Sequence, residues 1–169
     1  TGMQSADAAC ERMCDPGAEV SAHYMIDEDG TVRVLVPEDR RAWHAGEAFW
    51  RSNTDINARS IGVEMVNPGH EFGLVPFPDA QMAALEKLSK QVIQRYSIVP
   101  VNIVGHSDVA PRRKSDPGEL FDWARLAASG IGLWPIGVEP TSPDAIDANA
   151  LLDGIGYETL DMEQTVTAF

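Results

Sequence analysis

Ser60-Ile61-Gly62-Val63-Glu64-Met65-Val66 is the stretch on which the fold class turns. It is a mostly apolar run of strand length, the pattern of a central strand covered on both faces. Glu64 interrupts it. After a loop rich in Gly and Pro, Pro78 and Asp79 open a segment in which Met82, Leu85, Leu88, Val92 and Tyr96 recur at spacings of three and four. That period predicts an amphipathic helix with one face on the core. Upstream, residues 20–26 read as a strand, Asp29-Gly30 as a hairpin turn, and residues 31–36 as the returning strand. Before them, Ser5 caps a short helix that turns Ala9, Met13 and Cys10 inward and ends at Asp15-Pro16-Gly17. Downstream, residues 101–105 read as a last short strand. Residues 119–128 read as a helix stopped by Gly130, with Phe121, Trp123 and Leu126 as its bulky members. Strands and helices interleave, which gives an α/β class.

The 169 residues suffice for one domain of about 130 to 140 residues and something small beside it. Residues 137–144 contain Gly137, Pro140, Ser142 and Pro143 and read as a linker. Beyond it, residues 145–153 form one short helix ended by Gly154, and Asp161 with Gln164 forms a cap for another. No internal repeat is visible. No apolar run approaches the roughly 18 residues of a membrane span. The net charge of -13 argues against nucleic acid, whose phosphates need clustered Lys and Arg. Cys10 and Cys14 lie four apart, on one helix face. Half of a metal site or a redox pair is one reading, and two small buried thiols the other, favoured because no second pair completes a zinc set.

The chemistry concentrates in the loop Gly105-His106-Ser107-Asp108-Val109-Ala110-Pro111-Arg112-Arg113-Lys114-Ser115-Asp116-Pro117-Gly118. His106, Lys114 and Asp116 together have the composition of a metal-assisted hydrolytic site: imidazole and carboxylate to hold zinc, an ammonium to steady an oxyanion. A solvated cluster of Arg112, Arg113, Lys114 and Asp116 is the plainer alternative. Glu64, among Ile61, Val63, Met65 and Val66, is either a general base tuned by its surroundings or a strand residue facing solvent. Residues 37–57 carry Trp43, His44, Gly46, Phe49 and Trp50 without a period, as a long ordered loop that lines something. His44 suits a substrate groove. His23, amid apolar neighbours, reads as a satisfied core residue, and His70 sits in a Gly-rich loop with no partner in sequence.

Val20-Ser21-Ala22-His23-Tyr24, Asp29-Gly30, Ala42-Trp43-His44-Ala45-Gly46, Asn57 with Ser60-Ile61-Gly62-Val63-Glu64, and Gly105-His106-Ser107-Asp108 through Asp116-Pro117-Gly118 resemble, in order, the motifs of zinc-dependent N-acetylmuramoyl-L-alanine amidases of the type 2 family. The likeness runs over residues 1–136. It implies a mixed β-sheet flanked by helices and a Zn2+ cofactor, with His106 and Asp116 as the second and third metal ligands. Glu64 becomes the acid/base residue, Lys114 the oxyanion stabiliser, and Trp43, His44 and Asn57 the substrate-binding residues. The substrate implied is peptidoglycan or a muropeptide. Residues 145–169 resemble the start of a small helical peptidoglycan-binding module.

The family's first ligand is a histidine at the end of the first, central strand, and the sequence opens at Thr1-Gly2, just past its expected place. Both the strand and that ligand are expected upstream of Thr1, and the chain as given is expected to hold zinc weakly and to be inactive. Both ends read as cut. Two rivals remain: a non-catalytic peptidoglycan recognition module, and a serine hydrolase built on Ser107, His106 and Asp108. The latter is disfavoured because adjacent residues seldom face one another as a triad requires. The acidic charge and the appended helices lean towards the bacterial cell envelope over the cytoplasm.

Overall fold

The computed structural model describes residues 2–3, 5–135, 137 and 147–169. Three short strands form one mixed sheet in the order β2-β1-β3: β1 is Tyr24–Ile26, β2 is Val32–Val34 and β3 is Val63–Met65. β1 runs antiparallel to β2, with Ile26 opposite Val32, and parallel to β3, with Ile26 opposite Met65. Seven helices are described: α1 (Ala6–Cys14), α2 (Gly69–Phe72), α3 (Asp79–Tyr96), α4 (His106–Val109), α5 (Trp123–Ala128), α6 (Ala148–Ile155) and α7 (Met162–Ala168). The fold is α/β, as the interleaved pattern predicts.

Being central, β1 is buried along its whole length, and its alternation assigns the layers. Tyr24 and Ile26 point to one side, where Met65 and the α3 residues Met82, Leu85, Leu88 and Val92 meet Leu126 of α5 and Ile131. Met25 points to the other, against Ala9 of α1, Val66 and Leu35. Fully burying a side chain such as Met25 or Ile26 contributes about 1.5–3 kcal/mol. Helix α3 is also pinned by a polar contact: the buried Gln81 amide donates to the carbonyls of Ile26 and Val66 at 3.0 and 2.8 Å, satisfying acceptors where β1 and β3 end. The hairpin forms as its turn residues require. Gly30 adopts φ +86°, and a Cβ there would lie 2.7 Å from the Ala80 carbonyl oxygen.

Several sequence expectations change. Residues 101–105 are not a strand. Pro100 starts a 3-10 turn, Pro100–Asn102, because its fixed φ suits the first position of a helical turn and it has no N–H for a ladder. Ile103 is extended, yet residues 103–105 pair with no strand among the described residues. His106 therefore begins a helix instead of following a strand. The run at 60–66 narrows to β3, and residues 20–23 bond to the 43–62 region: Ser21 donates to the Trp43 carbonyl and His23 to that of Gly62, both at 3.0 Å. The helix expected over 119–128 begins at Trp123, capped by Asp122. Tyr96 is half exposed rather than core-facing, its hydroxyl bonded to Glu38. Cys10 is half-buried and Cys14 exposed, both as free thiols, so they are not a buried pair.

Of the linker at 137–144, residues 138–144 lie outside the described residues, as do 145 and 146. Helices α6 and α7, capped by Asp147 and Asp161, lean on α4: Leu152 and Tyr157 share a cluster with Ala45, Ala48, Trp50, Val109 and Ala110. Among the described residues no helix is long and apolar enough to cross a membrane.

Candidate active site

The loop after α4 folds back on it. Arg113 and Lys114 both donate their N–H to the Ala110 carbonyl, and Ser107 donates to the Asp116 carbonyl at 2.9 Å. That closure brings residues ten apart in sequence side by side: His106 Nδ1 lies 3.1 Å from Asp116 Oδ2. The other ring nitrogen, Nε2, lies 3.1 Å from the Ala45 carbonyl oxygen, which can only accept a hydrogen bond. In neutral imidazole the proton therefore sits on Nε2, and Nδ1 turns a lone pair towards a carboxylate. Two lone pairs at that separation repel unless a proton or a metal cation lies between them. Nitrogen and carboxylate oxygen donors, with the far nitrogen held by a carbonyl, fit zinc. Among the described residues, no group of three or more His, Cys, Asp or Glu side chains converges as a metal cluster.

Electrostatics favour an anionic Asp116. Burial works to raise its carboxyl, but a proton lying between it and His106 and the nearby Lys114 ammonium outweigh it, leaving the pKa below the ordinary carboxylate value. Half of the Asp116 side chain stays exposed, so the pair opens onto solvent. Glu64, His106, Lys114 and Asp116 lie on the lining of one large open groove, with His44, Ser60 and His70, and that lining extends to core residues such as Leu85, Leu88 and Leu126. The structure sets His106 directly against Asp116, and Glu64, Lys114 and one of the three substrate-binding candidates share that lining with the pair.

The other two stand elsewhere. Asn57 is buried, and its Oδ1 accepts the N–H groups of His44 and Ala45 at 3.0 and 2.8 Å. It shapes the loop that presents the Ala45 carbonyl to His106, and it does not line the groove. Trp43 is half exposed and is not on the groove lining itself, although its backbone N–H donates to Ser21 Oγ, which is. His44 packs so closely on Gly62 that a Cβ at 62 would lie 2.3 Å from the ring. Burial, then the neighbouring His23 and His106, lower its pKa from 6.5 to about 4, so it is neutral at pH 7. His23 is a satisfied core residue: Nδ1 accepts from Gly62 N–H and Nε2 meets the Arg40 carbonyl, both at 3.0 Å.

Three features were missed in the sequence. Arg113 donates to the Ala45 and Glu47 carbonyls and so braces the acceptor that His106 uses. His70 is not partnerless: it pairs with Glu119 at 2.8 Å and meets Ser115 Oγ at 3.3 Å, flanking the Asp116 loop. Asp108 accepts Gly105 N–H at 2.6 Å and the Tyr157 hydroxyl. Burial pushes the Asp108 carboxyl above its usual range. Because both its oxygens turn away from His106, the Ser107-His106-Asp108 triad does not form. Backbone acceptors carry no sequence signal, and long-range pairs such as 70 with 119 have none either.

Comparisons with known proteins place the chain in a family. Residues 1–119 match the family model described as N-acetylmuramoyl-L-alanine amidase. The N-acetylmuramoyl-L-alanine amidase AmiD of Escherichia coli is 39% identical over 170 residues, covering 88% of this chain and 61% of AmiD. The 1,6-anhydro-N-acetylmuramyl-L-alanine amidase AmpD of Enterobacter cloacae is 42% identical over 109 residues, covering 64% of this chain and 56% of AmpD. The chain thus spans about three-fifths of the length of these relatives. Escherichia coli AmiD, solved with the substrate anhydro-N-acetylmuramic acid-L-Ala-D-gamma-Glu-L-Lys, superposes with a TM-score of 0.85 at 36% identity, over 98% of this chain and 75% of that one. The chain belongs to the N-acetylmuramoyl-L-alanine amidase family.

Proposed function

We propose that this chain carries the site of a zinc-dependent hydrolase that cleaves the amide between the lactyl group of N-acetylmuramic acid and the L-alanine opening the stem peptide. One observation carries the proposal: His106 Nδ1 and Asp116 Oδ2 converge while Nε2 is committed to the Ala45 carbonyl. His106 and Asp116 would hold the metal. Zinc, when bound, supplies a Lewis acid and an acidified water, the chemistry that amide hydrolysis near neutral pH requires. The chain's own residues do the rest. Glu64, facing the same groove from β3, takes a proton from the attacking water and returns it to the departing amine nitrogen. Lys114 donates from its ammonium to the carbonyl oxygen as that atom gains negative charge. His44, neutral, walls the groove, and Asn57 and Arg113 fix the Ala45 carbonyl that orients His106. Trp43 remains a candidate for contact with the sugar or peptide beyond the groove.

The same proposal assigns residues 1–136 to the amidase domain, 137–144 to a linker and 145–169 to the opening of a helical peptidoglycan-binding module. A muropeptide is the first substrate to test, since AmiD was solved with an anhydro-muramoyl peptide bound. A non-catalytic peptidoglycan recognition module, which would bind the muropeptide in the same groove without cleaving it, is the second reading. The test is made on the zinc-supplemented protein, which is incubated with an anhydro-muramoyl tetrapeptide while the products are followed by mass spectrometry. Release of the free peptide, abolished by a chelator and restored by zinc, supports the hydrolase. Binding of the muropeptide without cleavage by the zinc-supplemented protein overturns it in favour of recognition.

A further inference from the structure

Helix α4 carries His106 at its first position, yet it is a single turn of four residues. A helix that short does not hold itself in water. Its direction is set from outside. Asp108, two residues along, ties the turn at its start by accepting the Gly105 N–H at 2.6 Å. The other oxygen of Asp108 accepts the hydroxyl of Tyr157, which arrives from the far end of the chain, just beyond α6.

Tyr157 is firmly seated. It is 6% exposed, its ring meets Trp50 edge to face at 5.0 Å, and the Val109 and Ala110 side chains of the α4 segment lie in the same cluster. The backbone on either side is fixed as well. Gly156 accepts the Arg51 N–H at 2.8 Å, and Glu158 receives two hydrogen bonds from Arg112 at 2.8 and 3.2 Å. The hydroxyl of Tyr157 is therefore a rigid donor aimed at the one carboxylate that closes the turn beneath His106.

We propose that Tyr157 is a positioning residue for the metal-ligand loop: through Asp108 it locks the Gly105–Asp108 turn so that His106 Nδ1 stays directed at Asp116. The proposal rests on the zinc reading of that pair. It gives the C-terminal helices a role in the amidase site that is separate from any contact they make with the cell wall. Groups that orient a metal ligand from behind commonly change metal affinity by about 10-fold to 100-fold when removed.

The test uses Tyr157→Phe in the full-length protein, a change that keeps the ring and its packing on Trp50 and removes only the donor. Two readouts are taken: the zinc dissociation constant by competition with a chelator, and hydrogen exchange at the Gly105 amide in the metal-free protein. Arg112→Gln serves as the control, because it breaks the ion pair of the same interface without touching Asp108. Expected are zinc binding weakened by about 10-fold or more and faster exchange at Gly105 in Tyr157→Phe. Arg112→Gln should change zinc affinity less than twofold. Asp108→Asn should weaken binding as Tyr157→Phe does, and the double variant no more than the stronger single one. Zinc affinity unchanged in Tyr157→Phe overturns the proposal, as does an equal loss in Arg112→Gln, which would make docking of the helices the cause. Should the unaltered protein take up no zinc at all, the zinc reading fails separately. Exchange at Gly105 then decides alone whether Tyr157 locks the turn.

Discussion

The α3 face of the sheet and the loops around His106 are built by opposite means. On the α3 face, Met82, Leu85, Leu88 and Val92 recur every three or four residues along one helix and meet Tyr24, Ile26 and Met65, so burial is spread over many interchangeable contacts. Around His106 there is almost no regular structure. A few polar groups do the holding: Asn57 takes the His44 and Ala45 amides, Arg113 the Ala45 carbonyl, that carbonyl His106, and Asp108 the Gly105 amide. Stability is therefore concentrated on one side and chemistry on the other, and substitutions in the two regions should separate along those axes.

The comparison is tested hardest by Lys114→Met in a form active on an anhydro-muramoyl peptide. Removal of an oxyanion donor lowers kcat by about 100-fold to 1000-fold. The urea midpoint should hardly move, since Lys114 is exposed. Unchanged turnover removes Lys114 from the mechanism. On the other face, Leu88→Ala should cost about 3 kcal/mol of stability, as a buried leucine cut back to alanine does. Its kcat per folded molecule should stay within a few-fold of the parent, and a large fall in kcat would show that the two regions are coupled.

Histidine 44 supplies a pH test. Its pKa is about 4 in the fold and 6.5 in the unfolded chain, so below pH 6.5 the unfolded state binds a proton that the folded state refuses. Its contribution is intact above pH 6.5, declines as the pH falls towards 4, and is flat below, amounting to at most about 3 kcal/mol. Urea titrations of the parent and His44→Gln between pH 4 and 8 should diverge in that window, and parallel curves would contradict the buried neutral ring. The smallest effect expected is that of Asn57→Ala. Two loop amides lose their acceptor, at a cost of about 1–2 kcal/mol. The zinc dissociation constant should rise with it, because the Ala45 carbonyl behind His106 is then less well fixed. A stability loss with unaltered zinc binding would confine Asn57 to the fold.

How much of this was legible in the sequence differs between the same two regions. The capped helix at Ser5, the Asp29-Gly30 hairpin and α3 follow from local pattern, because caps, turn glycines and a period near 3.6 act over a few residues. The supposed strand at 101–105 failed, since an apolar run becomes a strand only where a neighbour offers a ladder and Pro100 had already committed the chain to a turn. Within the site, His106, Asp116, Lys114 and Glu64 were visible as residue types. Asn57 and Trp43 were named for substrate but stand outside the groove lining, since whether a side chain reaches a groove depends on packing partners far away in the chain.

The sequence by itself determined that this chain builds an α/β layer with an amphipathic helix over a buried strand, and it singled out a histidine, a lysine and two carboxylates as the candidates for its chemistry. Periodicity, caps and motif order are enough for that. Only the tertiary structure decided that His106 turns Nδ1 to Asp116 and Nε2 to the Ala45 carbonyl, and that Tyr157, 49 residues beyond Asp108, closes the turn beneath it. The physical reason is that hydrogen bonds to backbone groups and across long stretches of chain depend on where the fold brings atoms together, and no local pattern of residue types encodes that distance.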